Sequence, residues 1–72
     1  MAESRLQMAL RHVVNGRRII TAQERRIAGL RADGRDCSSA EALLATYQTT
    51  QAIFEDELEG AYAEAKAQHV LP

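Results

Sequence analysis

Apolar residues recur along the chain at alternating spacings of three and four, the period of a helix that buries one stripe. With Leu6 set at heptad position a, the a positions are Leu6, Val13, Ile20 and Ile27, and the d positions are Ala9, Gly16, Gln23 and Leu30. A second seam runs Ala40, Leu44, Tyr47, Gln51, Phe54, Leu58, Ala61 and Ala65. Between the two lies R-A-D-G-R-D-C-S-S-A-E, the one cluster of turn formers, while the sole proline is the last residue, Pro72. Gly34 suits the left-handed position after a helix end, and Ser38 with Glu41 reads as an S-x-x-E capping box opening the next helix. The pattern predicts an all-α chain, a single domain over 1–72: a helix over about 3–33, a turn at 34–38 and a helix over about 39–69. So short a connection makes the helices antiparallel neighbours, a two-helix αα-hairpin.

In such a hairpin, residues whose numbers sum to about 70 or 71 face each other. Ile20 then meets Gln51, Gly16 meets Phe54, and Val13 meets Leu58; on the flanks Arg17 comes near Glu55 and Arg5 near Glu64. Glycine inside a helix costs about 1 kcal/mol relative to alanine, so Gly16 asks for a compensating gain. The preferred reading is a notch that admits the Phe54 ring; a kink beside Asn15 and a close approach to a ligand are the alternatives. Gln23 and Gln51 read as polar seam residues that set register at a cost in stability.

A chain of 72 residues buries only about 60% of its unfolded surface and rarely holds a self-sufficient core. Cys37 is the only cysteine, so no internal disulfide supplements the core. Oligomerisation is the remaining device. Leu10, Val14 and Ile19 in the first helix and Leu43, Ile53 and Tyr62 in the second lie beside or beyond the seam and are the candidate partner-binding residues. Ala42, Ala45, Thr49 and Ala52 add a small-residue strip. The simplest closure is a homodimer forming a four-helix bundle; a different helical protein using the same surface is the rival. The N-terminus lacks a signal-peptide pattern and no stretch approaches a membrane span, so a cytoplasmic chain without membrane contact is expected.

Net charge is −1, yet it is divided unevenly. Residues 1–35 hold eight arginines against three carboxylates, +5, and residues 36–72 hold one lysine against seven carboxylates, −6. Arg11, Arg18 and Arg25 share heptad position f, a ridge that could follow a phosphate backbone or simply face solvent. No aromatic residues interleave with them to stack on bases. In E-D-E-L-E, residues 55–59, Glu55 and Glu59 share a face, but neither His12 nor His69 follows a glutamate at the i, i+3 spacing of a bundle metal site. His12 reads as a boundary residue beside the seam, and Cys37 as a thiol in an exposed turn, either inert or made reactive by Arg35 and the helix start. With no nucleophile-base set and no phosphate loop, the expectation is a protein that is not an enzyme and takes no cofactor or metal.

The strings H-V-V-N-G-R-R-I-I-T-A-Q, I-A-G-L-R-A-D-G-R-D and A-E-A-L-L-A-T-Y resemble a group of short bacterial helical-hairpin proteins and protein tails. The residues that carry the likeness are His12, Gly16, Arg17, Arg18, Ile19, Gln23, Leu30, Gly34, Asp36, Leu43 and Leu44, and the match spans about 12–54. Relatives often place threonine at the position of Cys37 and further histidines where this chain has Phe54 and its acidic run. The resemblance implies a helical hairpin and no established activity. Two functions remain open: a non-catalytic protein-protein interaction module or small regulator acting as a homodimer, and a nucleic-acid-associated regulator using the arginine ridge.

Overall fold

The computed structural model describes residues 2–68. Two helices account for nearly all of them, α1 (Arg5–Ala32) and α2 (Ser38–Gln68), with no strand among the described residues. They pack along their length into a flat rod 61 × 21 × 16 Å, two helices wide and little more than one deep. The expected end of the second helix at residue 69 lies outside the described residues.

Local chemistry closes both ends of α1 and the start of α2. Ser4 opens α1 with a reciprocal box: its Oγ accepts from the Gln7 backbone N–H at 3.1 Å, and Gln7 Oε1 accepts from the Ser4 N–H at 3.0 Å. At the other end the Gly34 N–H donates to the Arg31 carbonyl and the Arg35 N–H reaches back to that of Leu30, at 3.0 and 2.9 Å. This Schellman closure needs a left-handed residue, and Gly34 supplies φ of 67°. The α2 start corrects the expected Ser38–Glu41 box. Ser38 is already the first helical residue, and Asp36 Oδ1 accepts from both its backbone N–H (2.9 Å) and its hydroxyl (2.8 Å). The Glu41 carboxylate instead accepts from Arg31 across the turn at 2.7 Å.

The residues that leave water are the two seams. All sixteen seam positions from Leu6 to Leu30 and from Ala40 to Ala65 are buried or half-buried; the only other described residues to lose most of their exposure are His12 and Cys37. The burial is shallow. Ala9, Val13, Ile27, Cys37 and Ala61 form the core, and no large side chain among the described residues is wholly enclosed.

Two seam glutamines cross between the helices. Gln23 Nε2 donates to the Ala40 carbonyl of α2, and Gln51 Nε2 donates to the Val13 carbonyl of α1, both at 2.9 Å. Each amide nitrogen thus finds a partner on the opposite backbone, which ties one axial register to the burial of both side chains, while Gln51 Oε1 is buried with no hydrogen-bond partner among the described residues. On the flanks Arg17 pairs with Glu55 (3.3 Å), Arg31 with Glu41 (2.7 Å) and Arg5 with Glu64. These pairs are half-exposed and contribute about 0–1 kcal/mol each, so they bias orientation more than they hold the fold.

The notch at Gly16 is real but its occupant differs from the expected Phe54. A Cβ at residue 16 would stand 1.7 Å from Gln51 Oε1 and 2.7 Å from Gln51 Cδ. The physical reason is hydrogen bonding: a buried amide needs a partner, and the Val13 carbonyl is reached over a residue without a side chain. The apolar Phe54 ring has no such need and lies against His12, centroids 4.9 Å apart and planes tilted by 32°.

Cys37 also departs from expectation. It is buried, with its thiol 3.5 Å from the Arg35 carbonyl and 3.9 Å from that of Ile27. The turn folds inward, so the small thiol plugs the closed end of the seam.

Candidate protein-binding surface

Because the hairpin is one helix deep, apolar residues beside the seam stay at the surface. Met8, Leu10, Val14, Ile19, Leu43, Ile53 and Tyr62 are all between 40% and 60% exposed. Six of these were candidates from the sequence; Met8, at heptad position c, was overlooked although its spacing from His12 and Ile19 places it on their side.

The set does not form one patch. Helical phase divides it between the two broad faces of the rod. Leu10 and Val14 lie on the e/b side of α1. Leu6, Leu10, Leu58 and Tyr62 line an open groove of about 500 Å³ there, with Glu55 and Glu59 at its edge. Met8 lies on the opposite, c/g side, where it shares a hollow with His12, Arg5 and Glu57. Ile19 follows His12 by one heptad, Ile53 precedes Glu57 by four residues and Leu43 precedes it by two heptads. All four therefore share this second face, and Leu43 lines a hollow on it with Arg26 near the turn.

The faces differ in charge. The groove face carries Arg17, Glu24, Arg31, Glu41, Glu55 and Glu59 at its e and b positions. On the opposite face α1 shows Met8, His12, Asn15, Ile19 and Ala22, and α2 shows Leu43, Thr46, Thr50 and Ile53; with Arg17 level with Glu55, the part free of formal charge on both helices is the stretch around Ile19, Ala22, Thr50 and Ile53. Of the charged side chains on this face, Arg5 and Glu64 pair near the open end, Arg26 stands beside Leu43 towards the turn, and Glu57 stands beside Met8 and His12, about one turn from the middle of α2.

The arginine ridge is not uniform. Arg11 is clamped by Glu3 through two hydrogen bonds, 2.7 and 3.1 Å. That pairing holds the Glu3 carboxyl below its ordinary range and raises the Arg11 guanidinium above its own. Arg18 and Arg25 are exposed and have no ion pair among the described residues. His12 Nδ1 is buried with no hydrogen-bond partner among the described residues. No three His, Cys, Asp or Glu side chains among the described residues are grouped to hold a metal ion, and no described helix is long and apolar enough to cross a membrane.

No protein-family model, curated protein or solved structure matches this chain. Its functional reading therefore rests on the surface just described.

Proposed function

We propose that this chain is a non-catalytic interaction module, a helical hairpin that works as a homodimer and acts as a small regulator or adaptor. One observation carries the reading: among the described residues, seven large apolar side chains stand in solvent while no large side chain is wholly enclosed. Surface area agrees. A compact protein of 8.0 kDa exposes about 4,450 Å² by the usual size scaling, whereas this chain exposes 5660 Å². The excess, about 1,200 Å² on one chain, is more than the ~800 Å² that each partner of a standard specific interface removes from water. Sedimentation equilibrium at micromolar concentration tests the proposal, with a dimer expected that persists or tightens at high salt, because apolar burial resists ionic screening. A cooperatively folded monomer throughout that range defeats it.

Arg18 and Arg25, exposed and without an ion pair among the described residues, favour a second reading, a nucleic-acid-associated regulator. Binding of duplex DNA or RNA that falls steeply with salt supports that alternative, and Arg18→Ala with Arg25→Ala then removes it.

A further inference from the structure

The self-association proposed above can be given a face and a stacking order. We infer that a second copy of this chain covers the c/g face, centred on its charge-free stretch, α1 of each hairpin lying on α2 of the other, with Ile19 of one subunit against Ile53 of its partner.

Three observations lead there. First, the face is the right kind of surface: protein interfaces are depleted of charge at their centre and charged at their rim. Met8, Ile19, Ile53 and Leu43 are exposed along this face, and the stretch around Ile19 and Ile53 carries no formal charge, bounded by Arg26 on the turn side and Glu57 on the other. The groove face instead has Arg17 paired with Glu55 and Arg31 with Glu41 across its middle and closed end. Covering those ions would cost desolvation that their mutual attraction does not reliably offset.

Second, the area suffices. A slab 61 Å long and 21 Å wide offers on each face on the order of 1,000 Å², against the ~800 Å² per partner of a standard interface.

Third, charge selects the stacking. Two hairpins can meet face to face about a twofold axis that runs along the rod or across it. An axis across the rod lays α1 on the partner's α1, setting one arginine-rich helix against another. An axis along the rod lays α1 on the partner's acidic α2, so that halves of +5 and −6 face each other. That axis also keeps axial level unchanged. The Arg17–Glu55 pair fixes what stands level with what: Ile19 lies two residues beyond Arg17 and Ile53 two before Glu55, which in antiparallel helices is the same height. Ile19 of each subunit therefore meets Ile53 of the other, twice per dimer. Every helix then has antiparallel neighbours, and Arg11, Arg18 and Arg25, at heptad position f, remain on the outside of the bundle.

The inference rests on the homodimer reading, and the test separates the two. Sedimentation equilibrium compares the full chain with Ile19→Lys, Ile53→Glu, an equimolar mixture of these two variants, and Val14→Lys on the groove face. The wild type and Val14→Lys should dimerise alike. Each isoleucine variant alone should dissociate at least about a hundredfold more readily, since two unpaired charges would be buried per dimer. The mixture should recover dimer, because the lysine of one chain meets the glutamate of the other. If an isoleucine variant is unfolded alone, circular dichroism reads the same point: helix that returns on mixing supports the stacking, and helix that stays lost overturns it. A monomeric wild type defeats the homodimer reading itself. A dimeric wild type with unaffected isoleucine variants, or with Val14→Lys as the one that dissociates, overturns the face alone. Weakened single variants that fail to recover on mixing overturn the stacking of α1 on the partner's α2.

Discussion

The Gln51 amide fills the space where Gly16 lacks a side chain, and its nitrogen donates to the Val13 carbonyl at 2.9 Å. Glycine at this point is therefore coupled to an amide thirty-five positions away in sequence. An alanine Cβ at residue 16 would meet the end of a flexible side chain, so the amide would swing aside and forfeit its buried bond. Losing that bond costs about 1–3 kcal/mol, against a gain of about 1 kcal/mol in helix propensity. Gly16→Ala should accordingly destabilise the fold by about 1 kcal/mol in denaturant unfolding. In a Gln51→Ala background the sign should reverse, because the obstructing amide is gone and only the propensity gain remains. The same sign in both backgrounds would disprove the coupling.

Asp36 caps α2 in place of the serine. The Ser38 backbone N–H and hydroxyl both donate to its carboxylate, which holds its pKa below the ordinary aspartate value, with the backbone bond the larger cause. A carboxyl whose pKa is depressed by folding adds stability that is present above its unfolded value and lost as pH falls through the folded one. The melting temperature should thus drop below about pH 4 with a component that Asp36→Asn removes, and Asp36→Asn should melt lower than the wild type at pH 7. Parallel pH profiles for the two proteins would show that the cap does not act through its charge.

Cys37 should behave as an interior thiol. Its modification by a water-soluble disulfide reagent should follow the opening of the turn, slow in native buffer and fast in denaturant. Immediate reaction of the native chain would contradict the burial seen beside Ile27 and Arg35. Because this thiol closes the end of a thin core, Cys37→Asp, which places a charge there, should destabilise the fold by about 3 kcal/mol or more in urea unfolding.

Much of the hairpin was legible in the sequence. Spacings of three and four mark a seam whatever the partner is, and turn chemistry around Gly34 sets where the chain reverses. The S-R-L-Q start at Ser4 carried an equally readable box that went unread, because the apolar pattern alone placed the helix start nearby. Cys37 was misjudged for a different reason: a turn residue's burial depends on how the loop folds back, which periodicity does not encode. The Gly16 occupant was missed because spacing gives the level of a residue but not how far its side chain travels; Gln51 reaches about one turn past Ile20. Division of the exposed apolar residues between two faces was recoverable from heptad letters, since e and g lie on opposite sides of a seam. What distinguishes the two faces is charge arranged across both helices, and that emerges only when the axial register is fixed.

The central claim is that this hairpin is incomplete alone, and the most direct measurement is thermal unfolding as a function of protein concentration. For a chain whose fold is linked to dimerisation, each tenfold increase in concentration should raise the midpoint by about 3–5 °C. A midpoint that stays constant over a hundredfold range, with a monomeric mass at every concentration, would contradict it.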